Sequence, residues 1–134
     1  MRHPYVECGI GKSAVRAIAT RLGLDDLAEL PAAPCLSSRV ETGIAIDPGV
    51  LKAIDACERL VRDVTGASTV RCRVRREAVV VELDDGALAR LDRPRRAALG
   101  SEVVERMTAA GVSRPLRFER YRMGSAFLRR SDHA

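Results

Sequence analysis

A cysteine followed closely by two hydroxyls and a guanidinium is the most chemically suggestive feature of this sequence. Residues 31–43 read PAAPCLSSRVETG, so Cys35 is followed by Ser37, Ser38 and Arg39. The two prolines before the cysteine lack amide hydrogens and bias the preceding residues toward extended backbone, which predicts a loop. A thiolate on a loop can act as a nucleophile, and the hydroxyls and the forked guanidinium suit binding of a phosphate or carboxylate.

Burial in the core is the structural alternative for Cys35, since free cysteine is among the most buried residue types. The other cysteines are Cys8, Cys57 and Cys72, and no two of the four lie close together in the sequence. This spacing indicates neither a zinc ribbon nor a redox dithiol, so we expect no metal site and a reducing compartment.

Three arginines share one face of a predicted strand. The segment TVRCRVR alternates strictly, which places Arg71, Arg73 and Arg75 on one side. Residues 78–83, AVVVEL, predict an antiparallel partner strand in which Glu82 faces these arginines. Like charges on one sheet face repel, so we expect an anionic partner, either Glu82 or a ligand phosphate. An ordinary solvated strand face is the alternative.

Two helices are predicted on either side of the cysteine loop. An apolar stripe predicts the first over 12–23, and the second begins at Pro48, is capped by Asp47 and ends before Gly66. The residues expected on the core face of this second helix are Val50, Ile54, Cys57, Val61 and Val64. Glu58 lies beside that face, where a solvated helix charge is the simpler expectation.

The second half of the chain predicts three strands and one more helix. Its segments in order are a strand over 69–75, a strand over 78–83, a connector over 84–100, a helix, and a strand over 115–121. The connector would contain a short helix interrupted before Pro94, and the next helix would be capped by Ser101 and stop at Gly111. The residues expected to face inward on this helix are Val103, Val104, Met107 and Ala110.

This order of elements predicts an α+β fold: helix, cysteine loop, then helix, strand, strand, helix and strand, with the helices packed on a small antiparallel or mixed sheet. A chain of 134 residues is expected to form a single domain. Within 1–134, we expect an α+β part over 45–128 and a separate helical segment over 1–30.

Arginine dominates the charge of the chain. The chain has 23 basic and 18 acidic residues, and lysine occurs only at Lys12 and Lys52. Guanidinium groups favour anion binding, although a GC-rich genome would produce the same composition. Aromatic residues make up only 3%, which leaves few platforms for stacking bases, so nucleic acid is not expected as a partner. With no leader and no long apolar run, we expect a cytoplasmic protein without membrane contact.

The segment PAAPCLSSR with Gly43 after it resembles the cysteine loop of the LarE family, ATP-dependent sacrificial sulfur transferases that build the thiocarboxylates of a nickel-pincer cofactor. Residues 3–24, HPYVECGIGKSAVRAIATRLGL, are similar to the helix after the family's nucleotide-binding core, and VRCRV, VVVEL and YRMGS to its later blocks. These residues contain nothing similar to the family's PP-loop domain with its glycine-rich pyrophosphate loop. GIGKS lacks the spacing of a phosphate-binding loop.

The resemblance implies that the Cys35 thiolate attacks an adenylated carboxylate of a pyridinium mononucleotide, forms a thioester and gives up its sulfur. It implies that the substrate phosphate is held by Ser38, Arg39, Arg71 and Arg73. Glu58 and Glu82 would orient these arginines, whose charge would also lower the pKa of Cys35. Glu41 departs from the family pattern and adds a negative charge beside the expected anion site.

The expected partners are a phosphorylated small molecule, a second copy of the chain in a homo-oligomer, and a separate PP-loop protein that would use ATP and Mg²⁺. The chain itself is expected to hold no cofactor. Two non-enzymatic alternatives stay open at this point: a truncated remnant that serves as a phosphate-ligand-binding or oligomerisation module, and an RNA-binding module that uses the arginine face.

Overall fold

The computed structural model describes residues 3–29 and 35–122, and the chain divides into two compact units, Met1–Pro34 and Cys35–Ala134. The helices of the first unit are α1 (Pro4–Glu7), α2 (Lys12–Arg21) and α3 (Asp25–Glu29). Helix α2 confirms the helix that the apolar stripe predicts. None of its residues is buried, and Leu22 at its end is 69% exposed.

The second unit is an α+β domain, which confirms the predicted fold class. Its elements in order are a 3-10 helix (Leu36–Arg39), α4 (Pro48–Thr65), β1 (Val70–Val74), β2 (Val79–Leu83), α5 (Asp85–Arg90), α6 (Arg93–Ala109) and β3 (Leu116–Arg120). The sheet order is β1-β2-β3. Strands β1 and β2 are antiparallel, whereas β3 returns parallel to β2 after α5 and α6, so the sheet is mixed.

Helix α4 begins and ends where the sequence predicts. The Asp47 side chain accepts the N–H of Val50 at 2.9 Å, and Gly66 closes the helix in the left-handed region at φ +64°. Ile54 and Val61 are fully buried. Val64 is 53% exposed, so its predicted place on the core face is wrong.

Helix α6 differs most from the prediction in where it begins. The short helix α5 ends before Pro94 as predicted, but α6 begins at Arg93 rather than after Ser101. The Asp92 side chain accepts the N–H of Arg95 at 2.9 Å, and Pro94 lies in the first turn, where its missing N–H costs no hydrogen bond. Ser101 is therefore not the N-cap. Its hydroxyl lies in mid-helix and donates to the carbonyl of Ala97 at 3.1 Å.

The glycine inside α6 marks a close approach of the last strand. A methyl group built on Gly100 would lie 3.4 Å from Leu116 and 3.6 Å from Phe118, so a larger side chain would push β3 away. Val103 and Met107 face the core, but Val104 is 40% exposed, which contradicts its predicted inward orientation.

The core of this unit lies between α4, α6 and the sheet. Its fully or nearly fully buried members include Ile54, Cys57, Val61, Val70, Cys72, Val81, Leu83, Val103 and Met107. Across β1 and β2, Arg71 pairs with Glu82, so Glu82 faces the arginines as the alternation predicts. In the described residues, no helix is long and apolar enough to cross a membrane.

Candidate functional site

Cys35 lies on the surface, directly before the 3-10 helix Leu36–Arg39, as the loop prediction requires. Its Sγ is 2.9 Å from the hydroxyl oxygen of Ser37. This side-chain hydrogen bond lowers the pKa of the Cys35 thiol, and the backbone N–H groups of Ser38 and Ser37 add to the shift. A hydrogen bond donated to sulfur stabilises the thiolate, which is the nucleophilic form.

The cause of this pKa shift is not the one that the sequence suggested. The expected source was the charge of nearby arginines, whereas the lowered pKa of Cys35 arises chiefly from the Ser37 hydroxyl. Arg39 instead directs its guanidinium to other groups: Nε donates to Glu58 at 2.8 Å and Nη1 donates to the Ser38 hydroxyl at 3.2 Å. Ser37 is thus the site residue that sequence analysis undervalued.

Glu58 joins three elements at the open edge of β1. It is only 6% exposed, so the expectation of a solvated helix charge is wrong. One oxygen, Oε1, accepts from Arg39 at 2.8 Å and from the N–H of Cys72 at 2.9 Å. Because Cys72 is on the edge strand, its N–H has no strand partner on that side, and the carboxylate of α4 satisfies it.

Glu82 is the second buried carboxylate of the site and is 2% exposed. It accepts hydrogen bonds from Arg73 Nε at 2.9 Å and from Arg75 Nη2 at 3.0 Å. Arg75 also reaches Glu119 of β3 at 3.6 Å. The anionic partner expected for the arginine face is therefore present within the protein, and the alternative of a solvated strand face is wrong for Arg73.

Ser38 connects the two buried ion pairs. Its hydroxyl accepts from Arg39 Nη1, and its carbonyl accepts from Arg73 Nη1, each at 3.2 Å. Glu58 and Glu82 thus bind the two arginines, Arg39 and Arg73. These arginines in turn bind the side chain and the backbone carbonyl of Ser38 in the cysteine loop. Both glutamates contact predicted site arginines, while their supporting role and the binding of a substrate phosphate by Ser38, Arg39 and Arg73 stay predictions.

Arg71 is the predicted site arginine that the structure leaves without a carboxylate partner in its described residues. Its Nη1 donates to its neighbour Val70 at 2.8 Å, and its guanidinium stacks 5.7 Å from the ring centre of Tyr121. Burial and the positive charge of Arg39 lower the pKa of Arg71. Since a guanidinium stays protonated regardless, both effects mean that a bound anion would stabilise this position.

Glu41 departs from the family pattern and adds a negative charge beside the expected anion site, but this charge has a partner within the protein. Its carboxylate accepts the N–H of Arg76 at 3.1 Å and lies 3.7 Å from the Arg76 guanidinium. The negative charge of Glu41 is therefore compensated by a residue outside the predicted site. Sequence analysis also missed Tyr121, although its place directly after the last alternating strand offered a signal.

In comparisons with known proteins, no model of a protein family and no curated sequence matches this chain. The LarE resemblance therefore rests on the motifs alone. Chemically, the site offers an exposed nucleophile with a lowered pKa, a half-buried hydroxyl at Ser38, and Arg71 as an accessible cation. This set suits covalent chemistry on an acyl group that carries a negative charge.

Proposed function

We propose that Cys35 is the sacrificial sulfur donor of a LarE-like transferase that acts on an adenylated carboxylate of a pyridinium mononucleotide. The observation that supports it best is the exposed Cys35 thiol, whose pKa is lowered by Ser37, on a loop braced by two buried carboxylates. A nucleophile held this way loses little conformational freedom in the attack, which lowers the barrier. A thiol that only packed the loop would need no such exposure.

The first step of the proposed reaction forms a thioester. The Cys35 thiolate attacks the acyl carbon, the carbon–sulfur bond forms, and AMP leaves with the electron pair of the broken acyl–oxygen bond. In the second step a base removes the Cα proton of Cys35, and the Cβ–S bond breaks. The thiocarboxylate product leaves with the sulfur, and dehydroalanine stays at position 35.

Activation of the carboxylate must come from outside these residues. Adenylation needs a nest of backbone amides for pyrophosphate and a nucleotide pocket, and the 134 residues contain no glycine-rich loop of that kind. Without AMP as the leaving group, a lowered thiol pKa cannot make a free carboxylate reactive. The proposal therefore requires a PP-loop domain, with its ATP and Mg²⁺, as partner.

The test is intact-mass and peptide mass spectrometry of the chain after incubation with ATP, Mg²⁺ and a pyridinium dicarboxylate mononucleotide, with and without a PP-loop protein. We expect loss of the elements of H₂S from Cys35 only when the PP-loop protein is present. The Cys8→Ala variant, which alters the other exposed cysteine, should still lose sulfur at position 35. The Cys35→Ser variant should not change in mass.

Release of AMP or pyrophosphate in the same reaction shows whether adenylation has occurred. Adenylation without any loss of sulfur from Cys35 would contradict the proposal and favour a non-catalytic module that binds phosphorylated ligands. Sulfur loss from the chain alone would contradict the requirement for a PP-loop partner.

A further inference from the structure

Four exposed arginines surround the junction of α5 and α6, far along the chain from the cysteine loop. We call Arg90, Arg93, Arg95 and Arg96 the arginine cluster. Asp92, the carboxylate among them, uses Oδ1 to accept the N–H of Arg95 as the helix cap. Within residues 3–29 and 35–122, none of the four guanidinium groups forms an ion pair with a carboxylate.

Some other arginines of the same unit are paired, whereas Arg62 and Arg117 are exposed without an ion pair among the described residues. What distinguishes the cluster is that four such arginines lie within seven residues. Arg59 contacts Asp55 at 2.7 Å, and Arg106 contacts Glu102 at 3.1 Å. The α6 helix adds charge of the same sign, because its N-terminal end lies within the cluster and carries a partial positive charge. Concentrated positive charge without an internal counterion raises the local concentration of anions and attracts an anionic partner.

The surface beside the cluster limits what that partner can be. A shallow cavity of about 70 Å³ lies next to Arg90 and Arg95, floored by Val64, Ala87 and Leu91. This volume is only about half that of an apolar cavity that binds benzene, about 150 Å³, so it is too small for an aromatic anchor of the kind that dominates protein–protein interfaces. An acidic protein would gain little apolar burial here, whereas a polyanion needs only the charges.

We propose that the arginine cluster binds the phosphate backbone of a nucleic acid, independently of the chemistry proposed for Cys35. The forked guanidinium group matches phosphate oxygens in a bidentate geometry. Arg90 and Arg95 line one cavity, and Arg93 and Arg96 are neighbours one helical turn apart in α6. Groups spread in this way suit a ligand with repeated phosphates better than a single anion. The expectation against nucleic acid rested on the low aromatic content, which disfavours base stacking but does not affect contacts to phosphates. The RNA-binding alternative concerned the arginine face of β1, where Arg73 is buried and bonded to Glu82. The arginine cluster is a different, exposed surface.

The proposal is tested by fluorescence anisotropy of a labelled single-stranded oligodeoxynucleotide titrated with the full chain over a range of salt concentrations. The Arg93→Gln/Arg95→Gln variant removes two charges from the cluster. The matched control, Arg59→Gln/Arg106→Gln, removes two charges from paired arginines elsewhere. We expect the slope of log affinity against log salt to fall by about 0.7 for each cluster arginine removed and to change much less in the control.

Three results would overturn the proposal. The first is an equal loss in both double variants, which would mean that only net charge matters. The second is no salt-dependent binding of the oligonucleotide by the wild-type chain at low salt. The third is displacement of the oligonucleotide by polyglutamate as effectively as by unlabelled DNA, which would indicate an acidic protein partner. Unchanged thermal unfolding of both double variants excludes misfolding as the cause. Unchanged oligonucleotide binding by Cys35→Ser shows that the result does not depend on the sulfur-transfer proposal.

Discussion

At the scale of single residues, the environments of the four cysteines differ sharply. Cys8 and Cys35 are exposed, whereas Cys57 and Cys72 are fully buried. A hydrogen bond with Cys57, together with burial, raises the pKa of the Cys72 thiol well above its ordinary value. Cys35 combines exposure with a lowered pKa, which is what a nucleophile requires.

We predict that Cys35 is alkylated fastest in the native chain. The lowered pKa leaves more of the Cys35 thiol ionised at neutral pH, so its labelling should be fast there. Ser37→Ala should slow Cys35 toward the rate of Cys8, because the hydrogen bond that stabilises the thiolate is lost. The measurement is iodoacetamide labelling with peptide mass mapping. Labelling of Cys57 or Cys72 as fast as Cys35 would refute the prediction.

At the scale of elements, one carboxylate of α4 holds the cysteine loop against the edge of the sheet. Glu58 bonds Arg39 of the 3-10 helix and the backbone of Cys72 in β1. Its partner Arg39 is 7% exposed. Removing one member of a buried ion pair leaves the other charge without compensation, which costs far more than loss of an exposed pair.

We therefore predict that Glu58→Gln lowers the free energy of unfolding by about 3 kcal/mol. The control is Asp55→Asn on the same helix, which breaks the exposed contact with Arg59 and should cost less than about 1 kcal/mol. Urea unfolding followed by circular dichroism measures both. Similar small losses in the two variants would mean that Glu58 does not hold the loop in the folded protein.

At the scale of the whole α+β unit, Asp84 ties the start of one strand to the start of a helix. Its carboxylate accepts the N–H groups of Ser68 and Thr69 before β1 and caps α5 at the N–H of Ala87. Hydrogen bonds from backbone N–H groups, that of Ala87 first, lower the pKa of Asp84 from 3.8 to about 2. They favour the charged form, so folding is coupled to its ionisation.

The lowered pKa predicts how stability depends on pH. Because the folded pKa of Asp84 is lower than the unfolded one, its contribution is complete above about pH 4 and is lost as the pH falls toward about 2. Asp84→Asn should therefore be less stable than the wild type at pH 7, and the difference should shrink progressively below pH 4. Thermal unfolding at a series of pH values measures this. A difference that is constant down to pH 2 would contradict the coupling.

Several local features followed from the sequence because their causes are local. The cap at Asp47, the glycine end of α4 and the alternation of β1 each depend on residues within a few positions of one another, and all are observed. The sequence left open whether Cys35 is exposed or buried, and the structure shows that it is exposed. Because side chains along a strand point alternately to its two sides, the sequence also predicted that Glu82 faces the arginines.

Only the tertiary structure decided which charges are buried and what shifts the thiol pKa. The sequence predicts that Glu58 is a solvated helix residue, but in the structure the edge of β1 lies beside it and buries it. Its burial depends on packing between segments that are distant in the chain. The start of α6 was missed although its signal is local, since Asp92 caps the helix two residues before Pro94. The parallel return of β3 also depends on packing, since one alternating segment fits either direction in a sheet. Local periodicity thus determined the elements, and long-range contacts determined the electrostatics of the site.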